Sequence, residues 1–293
     1  MMNKRKTMIT VLFGVTTLSF LSLFCIGYIL CKPAQTKIQL SSELPFDTIS
    51  INSKSGSKIH GWKLNGLPDN GVVLLFHSLR SNRMLMVDRA GFLWKNGYTV
   101  LLFDFQAHGE SKGKRITFGY KESGDVESIY DYAKAQYPHQ KIGAIGISLG
   151  GAAILLRKEI KPLDAVILEA VYPTVEEATC DRLEIRLGFL APVVTPVLLS
   201  QLSIQLGINK NDLKPIDHIR NQKCPIFIMA GQCDRHTKIG ESKRLFSAAG
   251  EPKEFWEVPD AEHEDLHKKQ PHAYEEKVVT FFGKYLRGEN LSQ

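Results

Sequence analysis

Gly146-Ile147-Ser148-Leu149-Gly150-Gly151 has the G-x-S-x-G spacing that presents a serine hydroxyl for attack on a carbonyl carbon. The run before it, Ile142–Ile147, is apolar, and Leu149–Lys158 after it has helical period, so Ser148 falls at a strand-to-helix turn. Side chains flanking a serine in so tight a turn would collide, and glycine relieves that collision. A serine hydroxyl needs a base within hydrogen-bond reach, and the base needs a carboxylate to fix its tautomer and stabilise its cation. Two downstream residues supply these types in the order Ser, Asp, His. Asp234 comes shortly after the apolar run Ile226–Ala230, and His263 comes after the run Phe255–Val258. Ligand groups in open α/β sheets gather at the carboxyl ends of strands, where both would sit. The predicted chemistry is two-step acyl transfer, with Ser148 as nucleophile, His263 as general base and Asp234 orienting it. It calls for no metal and no organic cofactor.

Other residues compete for these roles. His263-Glu264-Asp265-Leu266-His267 is a formal H-E-x-x-H zinc spacing. A zinc hydrolase of that kind needs a sustained helix and a third protein ligand, yet Pro271 follows within about one turn of His267. His236 lies two residues beyond Asp234 but precedes the last strand and breaks the chain order. A binding scaffold that lost its chemistry is a further alternative, and the filling of every triad position speaks against it.

The elements that must position these residues can be read from the apolar runs. Val72–Phe76, Val100–Phe103, Ile142–Ile147, Ala165–Leu168 and Ile226–Ala230 alternate with longer segments of helical period, as strands buried on both faces by crossover helices do. That pattern predicts an α/β fold with a doubly wound, mostly parallel sheet. Helices are expected over Ser123–Gln136, Leu149–Lys158, Ile239–Ala249 and Ala273–Leu286. An antiparallel hairpin should precede the sheet, with Thr48–Ile51 and Ile59–Trp62 on either side of Ser53–Ser57. Between Glu169 and Ile226 lies an insertion longer than a usual connection. Residues 174–222 are the expected lid, and its apolar piece Leu187–Leu206 is read as lid rather than a second membrane helix because of Pro192, Pro196 and four polar residues.

The stretch from Ile51 to Leu286 resembles the α/β-hydrolase superfamily, especially its serine-aminopeptidase-like branch of small esterases and thioesterases. Phe76-His77-Ser78-Leu79 resembles that family's His-Gly oxyanion loop, and Phe103-Asp104-Phe105-Gln106-Ala107-His108-Gly109-Glu110-Ser111 resembles its D-x-R-G-H-G-x-S stretch. Leu168-Glu169-Ala170 and Cys224-Pro225-Ile226 resemble its strand-end segments. The resemblance implies an oxyanion hole made by the backbone N–H groups of Leu79 and Leu149. Ser78 stands where the family has glycine, and Gln106-Ala107 where it has Arg-Gly. It also implies that His77, Asp104 and His108 order loops rather than move protons.

The first 35 residues are read as a membrane anchor and residues 36–293 as the hydrolase domain. No charge occurs from Met8 to Cys31, a length of about 36 Å as a helix, enough for a hydrocarbon core of about 30 Å. A cleaved signal peptide, hence a secreted protein, is the alternative, but the bulky Tyr28-Ile29-Leu30-Cys31 does not resemble a cleavage site. Lys4-Arg5-Lys6 places the N-terminus in the cytoplasm and the hydrolase domain outside, making a single-pass membrane protein. The chain has 37 basic and 31 acidic residues, but five basic ones precede Glu43, the first acidic residue, so the remainder is nearly neutral. With no basic patch interleaved with aromatics, nucleic-acid binding is not expected. The expected partners are a small-molecule or lipid-like acyl substrate and the membrane. At 43% hydrophobic and 23% charged residues, the chain can bury a core rather than stay disordered. The five cysteines form no disulfide framework.

Overall fold

A computed structural model describes residues 2–39, 43–159, 161–263 and 265–289. Helix α1 (Met2–Leu30) leads into a main sheet of eight strands. In chain order these are β1 (Asp47–Asn52), β2 (Lys58–Leu64), β3 (Val72–Phe76), β4 (Thr99–Phe103), β5 (Ile142–Ile147), β6 (Ala165–Glu169), β7 (Ile226–Gly231) and β8 (Lys253–Val258). Their spatial order is β8-β7-β6-β5-β3-β4-β2-β1. β1 and β2 form the expected antiparallel hairpin, β2 joins β4 antiparallel, and every other pair is parallel. The strand order reverses direction between β3 and β5, and such switch points open a crevice at the carboxyl edge.

The apolar runs become strands because helices cover both faces. Within β3, Val72, Leu74 and Phe76 enter one core layer and Val73 and Leu75 the other, as the two-residue period of a strand requires. The covering helices are α2 (Val87–Lys95), α3 (Glu122–Gln136), α4 (Leu149–Leu155), α9 (Ile239–Ala248) and α11 (Pro271–Phe282). Helix α2 has no counterpart in the sequence reading. It buries Val87, Ala90 and Leu93 at helical spacing, but Arg89 and Gly91 interrupt that stripe with a buried charge and a poor helix former. Helix α4 ends at Leu155 rather than at Lys158. The buried Arg157 accounts for the stop, turning back to donate from Nε to the Ile154 carbonyl at 2.8 Å.

The insertion folds as α5 (Val175–Leu187), a 3-10 turn Gly188–Leu190, α6 (Ala191–Leu199), α7 (Gln201–Leu206) and α8 (Pro215–Ile219). Among the described residues, Val175–Leu206 is the one helical stretch long and apolar enough to cross a membrane. It does not run straight. Gly188 adopts φ +55, and α5 packs against α6. Leu198, Leu199 and Leu202 are buried, so this stretch, the segment expected as a lid, folds back onto the body.

Helix α1 does not stand apart from this body. Its last turns lie against α6 and α7, where Gln201 Nε2 donates to the Leu23 carbonyl at 3.1 Å and Gln205 Nε2 to the Phe24 carbonyl at 3.3 Å. Arg115 donates to the Tyr28 carbonyl and stacks over the Tyr28 ring at 3.9 Å. Just beyond the helix, Ala34–Gln35 pairs in parallel with His108–Gly109.

Candidate active site

Ser148 follows β5 and precedes α4, with φ +49 and ψ −107. A non-glycine residue in that region is strained, and a strained residue persists only where its surroundings hold it. Here its N–H donates to the Glu169 carbonyl of the adjacent strand at 2.8 Å. The flanking glycines are obligatory. A Cβ on Gly146 would strike the backbone of Gly150 and Gly151, and one on Gly150 would strike the Phe76 carbonyl.

Asp234 lies just past β7 and His263 just past β8, so each of the three residues sits at the carboxyl end of its own strand. The Asp234 carboxylate is buried and fully engaged. One oxygen accepts from the backbone N–H groups of His236 (2.7 Å) and Thr237 (2.9 Å), and the other accepts from His263 Nδ1 at 2.7 Å. Holding the proton on Nδ1 leaves Nε2 with its lone pair, the form that can accept a proton. Among the described residues no hydrogen bond joins the Ser148 hydroxyl to His263. Such bonds are often long in unliganded enzymes and tighten when substrate enters.

The rival histidines are placed elsewhere. His267 belongs to the four-residue helix α10 (Leu266–Lys269), and its Nε2 meets Glu275 Oε1 at 2.9 Å. His263 precedes the N-cap Asp265, so the two histidines share no helical face. Glu264 lies outside the described residues. His236 stacks near His263 at 4.9 Å between ring centroids, closer than its chain position implied. Burial, with the neighbouring His263, lowers its pKa. Asp234, His236 and His263 are the one group among the described residues whose ligand atoms come together as a metal's would, within 4.8 Å. Both Asp234 oxygens are already committed to N–H donors, so a metal would have to displace them.

The three loop residues hold structure. His77 is buried, its Nδ1 donating to the Ser78 carbonyl (2.7 Å) and its Nε2 accepting from the Phe105 N–H (3.1 Å). Burial pushes its pKa down to about 3, so it stays neutral. Asp104 accepts from the Arg83 and Glu110 N–H groups and pairs with the Arg83 guanidinium. His108 Nδ1 meets the Gln106 carbonyl at 2.9 Å.

A narrow cavity of about 130 Å³ opens beside Ser148, its wall almost wholly carbon. Leu79 and Leu149, the expected oxyanion donors, line it with Ser148. The lid supplies Val175, Leu199 and Leu202, and α1 supplies Gly27 and Leu30. The α1 contribution is a feature that spacing along the chain does not signal, since it depends on how the helix docks.

Beneath the site, the buried Arg89 of α2 binds Glu169 through two nitrogens (3.1 and 2.7 Å) and Asp265 through Nη2 (2.7 Å), and Tyr274 bonds the same Glu169. The pair ties the residue whose carbonyl holds Ser148 to the loop just after His263. Breaking a buried ion pair from one side leaves uncompensated charge and costs about 3–5 kcal/mol. Arg89→Met should therefore lower the thermal midpoint by at least about 6 °C, read by circular dichroism in detergent. A shift of about a degree would show the network to be dispensable.

The serine aminopeptidase S33 family matches this chain across residues 68–221, which contain β3, the strand-to-helix turn and most of the lid. The chain belongs to that family. As an S33 member it is a hydrolase with the α/β-hydrolase fold. Two bacterial proteins are similar to this chain at low identity. "Uncharacterized protein YqkD" of Bacillus subtilis is 22% identical over 235 residues, spanning 79% of this chain and 77% of that protein. "Uncharacterized protein Rv2307c" of Mycobacterium tuberculosis is 24% identical over 229 residues, spanning 77% and 75%. Among solved structures, the Pyrococcus furiosus esterase Pf2001 superposes with a TM-score of 0.71 at 23% identity, covering 87% of this chain and 98% of that one. The esterase EaEST from Exiguobacterium antarcticum superposes with a TM-score of 0.60 at 16% identity, covering 80% and 98%. These likenesses establish that the S33 member and the two esterases share a fold.

Proposed function

We propose that this S33 member is a membrane-anchored serine esterase in which Ser148, His263 and Asp234 form the catalytic triad. The carrying observation is the strained Ser148 opening onto an apolar cavity while Asp234 fixes the tautomer of His263 at the same sheet edge. In this reading His263 Nε2 takes the Ser148 proton as Oγ bonds to the ester carbonyl carbon. The tetrahedral oxyanion is held by the N–H groups of Leu79 and Leu149. His263 then passes the proton to the departing alcohol. Water, deprotonated by the same imidazole, cleaves the acyl-enzyme to the carboxylic acid and returns the proton to Ser148. Two fold neighbours are esterases, which favours an ester over a peptide bond. The carbon-lined cavity favours a second substrate class, lipid-like acyl esters or thioesters. Turnover of p-nitrophenyl esters graded by chain length tests the proposal, and complete inactivity toward every length would overturn it.

The anchor reading rests on the uncharged run Met8–Cys31 and on the exposed apolar side chains of the part of α1 that precedes its contact with the lid, among them Met8 and Leu12. The lid adds Phe189 (89% exposed) and Val193 (68%) to this apolar surface. Lys4-Arg5-Lys6 favours an N-terminus in the cytoplasm and a hydrolase domain on the other side. The full-length protein should stay with membranes through high-salt and carbonate washes, because burial of apolar side chains is not screened by ions. A mature protein that begins near residue 32–36 and washes free would instead identify a secreted enzyme.

A further inference from the structure

We infer that helix α1 is part of the substrate site: its last turns close the far wall of an acyl-chain pocket whose other end is Ser148. The inference rests on the proposed esterase reading and deepens it by naming the substrate as an ester of an unbranched acyl chain of about six carbons, the length that a cavity of about 130 Å³ holds. Three observations carry it. The cavity at Ser148 is bounded by Gly27, Leu30 and Cys31 of α1 and the adjoining residue, facing Leu199 and Leu202 of the lid. The closure is specific, because Gln201 and Gln205 of α7 donate across the seam to the Leu23 and Phe24 carbonyls of α1. Glycine leaves room at the crossing, since a Cβ on Gly27 would meet the end of the Gln201 side chain and turn its amide away from α1. A helix serving only as a tether needs neither a glycine matched to the lid nor hydrogen bonds spent on carbonyls already inside a helix.

The chemistry of the wall sets the ligand. Its exposed lining is nearly all carbon although Arg182 and Arg186 border it: the glutamine amides that approach it are occupied in holding α1, and Arg182 donates to the Ala178 and His236 carbonyls. A polar or branched group would lose hydrogen bonds or clash there, whereas a polymethylene chain gains about 0.8 kcal/mol for each methylene buried.

The test uses the full-length protein in detergent and compares kcat/KM for p-nitrophenyl hexanoate with that for p-nitrophenyl butyrate. Gly27→Phe and Leu30→Trp each push a ring into the α1 wall, and Leu30, half exposed, tolerates the larger side chain without repacking a core. Exclusion of two methylenes corresponds to a fall of about tenfold or more in the hexanoate-to-butyrate ratio for both variants. An unchanged ratio in Leu30→Trp overturns the inference, even if Gly27→Phe fails to accumulate. Wild-type protein that cleaves butyrate but shows no gain toward hexanoate also overturns it while leaving the esterase reading intact. Wild-type protein inactive on both esters strikes the esterase reading itself.

Discussion

Ser148→Ala abolishes ester hydrolysis, lowering kcat by about 10⁴–10⁶, while the protein accumulates and melts as the wild type does. The size follows from the role, because without Oγ no acyl-enzyme forms and only the binding and oxyanion contributions remain. The selectivity of the loss follows from the structure. Ser148 is held by its backbone, through the N–H bonded to Glu169 and the turn fixed by Gly146 and Gly150. No side-chain hydrogen bond of Ser148 is present to be lost among the described residues, and alanine meets the same positive φ with the same Cβ. Activity within about tenfold of wild type would remove Ser148 from the mechanism.

Asp234→Asn and His263→Ala produce the next largest effects, the first lowering kcat by about 10⁴. Asparagine keeps an oxygen for the His236 and Thr237 N–H groups but can present an NH₂ to His263 Nδ1, which then flips the imidazole to the tautomer that cannot accept from serine. His263→Ala removes the base outright. His236→Ala and His267→Ala keep most turnover, because His236 meets the Asp234 carboxylate through its backbone N–H and His267 is paired with Glu275. The measurement is steady-state hydrolysis of one activated ester by all four proteins. Loss in His267→Ala together with inhibition by a chelator would support the zinc spacing instead.

How much of this could be read before the structure depends on how local the cause is. β3 and β5 match their apolar runs residue for residue, because a strand buried on both faces has to be apolar throughout. The turn at Ser148 was legible for a similar reason, since steric crowding leaves few alternatives to glycine at Gly146 and Gly150. Helix α2 was not legible, because its buried stripe contains Arg89, whose partners Glu169 and Asp265 lie 80 and 176 residues away. The His263-Glu264-Asp265-Leu266-His267 spacing misleads for the converse reason: a helix begins only at Leu266, capped by Asp265. The docking of α1 on the lid is tertiary as well. Removing residues 1–35 therefore spares Ser148, Asp234 and His263 but strips a cavity wall and the Ala34–Gln35 pairing with His108–Gly109.

The central claim is that Ser148 is a nucleophile activated by His263, and covalent labelling with a serine-reactive fluorophosphonate tests it most directly. The full-length protein should gain one phosphonyl adduct, mapped by mass spectrometry to Ser148. Labelling should be absent in Ser148→Ala and severely slowed in His263→Ala. An unlabelled wild type, or an adduct that persists in Ser148→Ala, would contradict the account.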